Sequence, residues 1–285
     1  MTTTLLLLGI AVHRGTASLS GAPVPRGETV VLLHGLMTTT WHMKRIERSL
    51  TRQGYAVENW EYDSRHGMIE DYARALHDVV RALPSDQPLH FVGFSLGSLI
   101  IRYYLGHYEV PSLGRVVMIG PPNHGSELAD VVFPSAWFRA LAGSDVTAQL
   151  RASNREFFDA LDIPSVPVGI IAGGRGDTVG FSDALPGDDD GRVSVESARL
   201  DGAEDFIVLP HRHVMLLVAN DTLHQVLRFI TSGHFDHAVW SHAAGNTYHL
   251  RPSATNSPSV AILPRQEMAS PNRGTWPPPA QGDSP

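Results

Sequence analysis

Cysteine is absent from this 285-residue chain. That excludes disulfides, a thiol nucleophile and a zinc–thiolate centre. It assigns no compartment, since exported proteins also do without cysteine. Basic residues are scarce: 22 Lys and Arg stand against 29 Asp and Glu, a formal net charge of −7. A broad nucleic-acid interface is excluded on that balance. No G-x-x-x-x-G-K-[ST] loop is present, so the main phosphate-cradling signature is missing. Internal repeats are missing as well. Nor is there an apolar run long enough for a bilayer. Leu5–Val12 (LLLLGIAV) has the look of a signal-peptide core, but it is far too short to span and no Lys or Arg precedes it. It reads as a frayed or partly packed N-terminal strand and the chain as cytoplasmic, with a signal peptide and export as the open alternative.

What is present is a globular composition, with 42% apolar and 18% charged residues. Such a chain can bury a sizeable core in one large domain or two small ones. From Thr29 onward strand-like and helix-like segments alternate, the pattern of a parallel sheet covered by helices. Strands are expected at Thr29–Leu33, Ala56–Tyr62, Leu89–Phe94, Arg115–Ile119, Val166–Ala172 and Asp205–Leu209. Several are short, continuous apolar runs, as strands buried on both faces should be. Met68, Ile69, Tyr72, Ala73, Leu76, Val79, Val80 and Leu83 recur with helical period, and Pro84 ends that helix. Leu223, Val226, Leu227 and Ile230 mark the closing helix. Two regions break the alternation. Residues 126–163 hold Phe133, Trp137, Phe138, Leu141, Phe157 and Phe158, and read either as a lid or pocket wall or as a helical insertion packed on the core. After Phe235 periodicity fades, and residues 251–285 are rich in Pro, Ser, Asn and Gly, a composition typical of disorder. The expected organisation is an N-terminal extension (1–27), a main domain (28–235) carrying the 126–163 insertion, and a tail (236–285).

The sharpest motif is Gly93-Phe94-Ser95-Leu96-Gly97, a G-x-S-x-G sequence directly after a buried-type strand and opening a helix. On such a turn the serine backbone is strained, flanking glycines let the strand and helix approach, and the hydroxyl is exposed. The helix N-terminus then offers amide dipoles to a developing negative charge. The competing reading is a tight strand–helix turn with a capping serine.

Taken together, VVLLHGL, GFSLG, GPPNHGSE (Gly120–Glu127), PGDDDGRVSVES (Pro186–Ser197) and VLPHRHVML (Val208–Leu216) resemble bacterial lipase- and esterase-like α/β-hydrolases related to triacylglycerol lipases. The likeness covers about residues 28–235. It implies a compact α/β-hydrolase fold, a mostly parallel central sheet flanked by helices with a helical lid-like insertion. It also implies an ester hydrolase with a triad in the order Ser, Asp, His. By the resemblance, the backbone amides of Leu36, in the His34-Gly35-Leu36 turn, and of Leu96, after the nucleophile, form an oxyanion hole. His34 itself is read as bracing its loop.

The base must be an imidazole in the loop after the last strand, which offers His211 and His213. The family spacing, four residues past the leucine of Leu-Pro, falls on His213. His124 reads as a pocket-rim or structural residue. The acid should follow the fifth strand. Asp190, in Asp190-Gly191-Arg192-Val193, matches the family's Asp-Gly-x-Val site, with Asp189 as its neighbour and Asp177 as a rival on a shorter loop. The expected reaction is therefore ester cleavage through an acyl-enzyme at Ser95, with Asp190 and His213, on a small-molecule ester with a hydrophobic acyl group. No cofactor, metal, nucleic-acid partner or integral membrane span is implied. An acyltransferase or thioesterase would use the same triad, and a non-catalytic binding protein on this fold would need none of it.

Overall fold

The computed structural model describes residues 25–238. The signal-like Leu5–Val12 stretch and the expected disorder of residues 251–285 lie outside them. In chain order the elements begin β1 (Thr29–Leu33), α1 (Thr40–Arg52), β2 (Ala56–Trp60), α2 (Ile69–Arg81), β3 (Leu89–Phe94), α3 (Leu96–His107) and β4 (Leu113–Ile119). Four short helices follow: α4 (Glu127–Val132), α5 (Ala136–Ala142), α6 (Ser144–Gln149) and α7 (Arg155–Asp159). The chain closes with β5 (Val168–Gly173), α8 (Val195–Ala198), β6 (Asp205–Leu209), a 3-10 turn at His213–Leu217 and α9 (Asn220–Ser232).

The six strands form one sheet in the order β2-β1-β3-β4-β5-β6, and every pairing is parallel. Alternation along β1 shows how two cores arise from one strand. Val31 and Leu33 join Ile69, Leu76, Ile100 and Tyr104, so α2 and α3 cover one face. Val30 and Leu32 join Met43, Ile46, Val226 and Phe229, so α1 and α9 cover the other. Each fully buried side chain of this kind contributes about 1.5–3 kcal/mol relative to exposure. Because the sheet is parallel, all strand C-termini share one edge, the edge where such folds build their sites.

Boundaries differ from the sequence expectation where a neighbour intervenes. β2 stops at Trp60 rather than Tyr62, because its partner β1 ends opposite it at Leu33; beyond the ladder the Tyr62 hydroxyl donates to the His34 carbonyl at 2.5 Å. β5 starts at Val168 rather than Val166. Pro167 contributes its carbonyl to Val116 N–H but has no N–H of its own to extend the ladder. Residues 126–163 are helical, and they are tied to the main domain. Gln149 accepts from Ile69 N–H and donates to Glu70, while buried Arg102 of α3 donates to the carbonyls of Leu161, Asp162 and Asn123. Burial among carbonyls pulls the Arg102 pKa down to about 10.

Candidate active site

β3 delivers the chain to Ser95 at φ 52°, ψ −117°, a region that costs a non-glycine residue about 1–3 kcal/mol. The Ser95 amide donates to Ile119 of β4, and the Ser95 carbonyl accepts from Ser98 at the start of α3. The flanking glycines explain the spacing. A Cβ on Gly97 would stand 2.4 Å from the Leu33 carbonyl oxygen, and one on Gly93 would stand 2.7 Å from Ser98 N. Only glycine lets helix and strand come this close. The side chain left on top is half-buried and makes no hydrogen bond among the described residues.

Ser95 and His213 line the same cleft, a cavity of about 70 Å³ that opens to solvent. Its walls are largely apolar: Leu36, Leu128, Val132, Phe138, Leu150 and Val193 border it, most of them from the 126–163 insertion. His213 begins the 3-10 turn after β6 and is 4% exposed. Its Nδ1 lies 2.6 Å from Asp190 Oδ2, its amide donates to the Asp190 carbonyl at 2.9 Å, and its ring leans on Phe94. With Nδ1 engaged, Nε2 makes no protein hydrogen bond among the described residues. Asp190 is held in turn, since its Oδ1 accepts from the amides of Arg192 and Val193, both at 2.9 Å. The Asp-Gly-x-Val sequence thus folds the carboxylate back on its own loop and aims the second oxygen at the imidazole.

The rivals are occupied elsewhere. Asp177 is exposed, and its Oδ1 accepts from Val179 and Gly180 while its Oδ2 pairs with Arg175. The Gly180 and Val179 amides hold its carboxyl below the usual range. Asp189 is buried but accepts from Gly191 and Ser182, and burial pushes its pKa up. His211 pairs with Asp221 of α9, both oxygens at 2.8 Å. His124 is exposed and borders a separate cleft with Glu127, Arg155 and Ser194. His34 is fully buried and stacked on Tyr62 at 4.2 Å, and burial lowers its pKa.

Both amides expected at an oxyanion hole, Leu36 and Leu96, donate to no protein group among the described residues. Leu36 borders the cleft, and Leu96 is the first residue of α3. One residue that motif reading missed is Gly120, at the end of β4 with φ 54°. A Cβ there would lie 3.1 Å from the His213 ring, so the imidazole sits where a side chain would otherwise be. A glycine ending a buried strand is the signal that would have found it.

Comparison with known proteins agrees with the topology. Residues 28–159 match the α/β-hydrolase fold family. No curated protein sequence matches the chain. The structure is similar to a Bacillus licheniformis lipase in its mature form, with TM-score 0.57 and 20% identity over 75% of this chain and 93% of the lipase. A phospholipase from Legionella pneumophila gives TM-score 0.58 at 18% identity, covering 73% of this chain and 60% of its own. A metagenomic carboxyl esterase gives 0.55 at 21%, covering 73% and 71%. With its six-stranded parallel sheet and a serine turn on the C-terminal edge, the chain has the α/β-hydrolase fold and is similar in structure to lipases and esterases.

Proposed function

We propose that the chain is a serine hydrolase of carboxylic esters with a hydrophobic acyl group, acting through Ser95, His213 and Asp190. The observation that carries this reading is the buried His213–Asp190 pair at 2.6 Å, whose imidazole borders the same apolar cleft as a strained, half-buried serine. In the reaction, Ser95 Oγ attacks the carbonyl carbon while His213 Nε2 takes the hydroxyl proton, and Asp190 stabilises the imidazolium. The Leu36 and Leu96 amides hold the tetrahedral oxyanion, each contributing about 3 kcal/mol to the transition state. Collapse breaks the C–O bond to the alcohol, which leaves with the proton from His213. Water then repeats the sequence on the acyl-enzyme, releasing the acid and restoring Ser95. The acyl chain lies against the insertion, along Leu128, Val132, Phe138 and Leu150. The catalytic unit is residues 28–235, so a chain cut to residues 25–238 keeps its turnover.

The test is labelling with a fluorophosphonate together with a panel of activated esters of increasing acyl length. Wild type is expected to be labelled at Ser95 and to turn over esters, and Ser95→Ala to lose both with unchanged circular dichroism. A folded Ser95→Ala protein keeping more than about 1% of turnover overturns the reading, given losses near 10⁶-fold for nucleophile removal elsewhere. Labelling with faster transfer to an added alcohol or thiol than to water makes it an acyltransferase instead.

A further inference from the structure

An oxyanion donor works only if it is held, and the Leu36 amide sits in a turn whose other amides are already engaged. Gly35 N–H donates to Thr38 Oγ1 at 2.8 Å, Met37 N–H to Ser64 Oγ at 3.1 Å and Thr38 N–H to the Gly35 carbonyl at 3.2 Å. Of the four amides from Gly35 to Thr38, Leu36 alone has no protein acceptor among the described residues. The turn also contains Met37 at φ 58°, an unfavourable setting for a side chain that must be held by its surroundings.

Two of the holding contacts come from the segment just after β2. Tyr62 donates its hydroxyl to the His34 carbonyl, and its ring stacks on the His34 imidazole with planes 12° apart. Ser64, 4% exposed, caps Met37 N–H. On the opposite side Gly35 packs against Phe94 and Ser95, so the turn is clamped between the elbow and the Tyr62–Ser64 segment. Neither Tyr62 nor Ser64 borders the catalytic cleft. Burial pushes the Tyr62 phenol above its ordinary range, so it remains a donor at any working pH.

The geometry points to Tyr62 and Ser64 as positioning residues that fix the Leu36 amide where the tetrahedral oxyanion forms, an inference that rests on the esterase reading above. Deleting a whole oxyanion donor costs about 10²–10³ in kcat. A misplacement of about 1 Å costs up to about 10². Loosening one of two braces should therefore cost about tenfold, and the loss should fall on the transition state rather than on substrate binding.

The experiment compares full-length Tyr62→Phe, which keeps the ring and its stacking, and Ser64→Ala with wild type. Active sites are titrated with a fluorophosphonate. The expected result for each is a kcat per titrated site about tenfold lower. KM should stay within about twofold, since ground-state binding is untouched. The inhibition constant of an alkyl trifluoromethyl ketone, which adds Ser95 to form an oxyanion, rises in parallel with the kcat loss. Binding of a fatty acid of the same chain length is unchanged, and Ser64→Thr restores most of the rate. A purely structural role would lower the melting temperature and the titratable fraction while leaving kcat per site and the ketone-to-acid ratio as in wild type. That result, or loss of fold in both variants, overturns the assignment; if only one variant folds, that one decides. Inert wild type, or active Ser95→Ala, overturns the esterase reading and the brace with it. A Ser95-dependent wild type with unperturbed variants overturns the brace alone.

Discussion

Two histidines stand two positions apart after β6, and each has a carboxylate partner within 2.8 Å. Their surroundings differ in every other respect. His213 and Asp190 have side chains 4% and 1% exposed and are joined by a second, backbone hydrogen bond, and His213 borders the cleft with Ser95. His211 and Asp221 have side chains 26% and 32% exposed and face the start of α9. A carboxylate near an imidazole is therefore not enough to propose a catalytic pair. Burial, a carboxylate immobilised by its own loop and a shared cleft with a nucleophile are what separate the two.

The comparison breaks most directly at the imidazoles. His213→Gln is expected to lose about 10⁵–10⁶ in kcat, in line with loss of the base in other serine hydrolases. His211→Gln is expected to keep activity within about threefold, since a partly exposed ion pair contributes little. Steady-state turnover of one activated ester measures both. Equal losses in the two variants would erase the distinction and reopen His211 as the base.

At the carboxylates the expected effect is smaller. Asp190→Asn should lower kcat by about 10⁴, by analogy with a serine-protease acid replaced by its amide. Asp221→Asn and Asp177→Asn should remain near wild type. If Asp177→Asn is the crippled variant, the acid comes from the shorter loop and the geometry around His213 has been misread.

How much of this was legible before folding depends on what each feature needs. β1, β3 and β6 match the expected spans because a continuous run of Val, Ile, Leu and Phe buried on both faces is a local property. The elbow was legible for the same reason, since its spacing and its strand–helix context lie within a few residues. The choice among acids was not local. Asp190 reaches His213 only because the 174–189 excursion closes on itself, with Asp188 accepting from Arg175 and Gly176 and Asp189 from Ser182. Those contacts join residues 7 to 13 positions apart; the Asp-Gly-x-Val pattern singles out Asp190, but nothing local shows the excursion that carries it to His213. His211 was an open alternative until its partner Asp221, ten positions later, was seen to occupy it. Tyr62 and Ser64 carry no motif at all; they matter only because β2 neighbours β1 in the sheet.

Stability should sharpen the contrast at a lower amplitude. Replacing Asp221 by Asn removes a partly exposed carboxylate–imidazole contact, worth about 0–1 kcal/mol. It also leaves the α9 N-terminus without Asp221, its first-turn acidic residue, at a cost of about 0.3–1 kcal/mol. Asp221→Asn is therefore the variant that melts slightly lower while turning over normally. A melting temperature equal to wild type would show that the pair contributes nothing, and a loss of turnover would show that it does more than hold α9.

The smallest expected effect concerns a third histidine, His34, which lies near a carboxylate without hydrogen-bonding to it. Glu61 Oε1 stands 3.8 Å from His34 Nε2, beyond hydrogen-bond reach, and that nitrogen has no partner. Burial dominates, so the folded pKa of His34 falls below its ordinary value of 6.5. For an imidazole the sign follows directly. The unfolded chain binds the proton more readily than the folded one, so stability rises with pH through this interval. The contribution is complete above about pH 6.5 and is lost progressively as pH falls from there toward the depressed folded value. In His34→Asn the amide can still donate to the Gly35 carbonyl, as Nδ1 does at 3.0 Å, but it cannot titrate. The variant should be less stable than wild type near neutrality, because it loses the stack on Tyr62, and the gap should narrow as pH is lowered to about 5. Melting temperatures of the two proteins measured across that interval test this. A gap that stays constant or widens toward acid would mean that His34 accepts a proton in the folded protein, with Glu61 moving in to meet it.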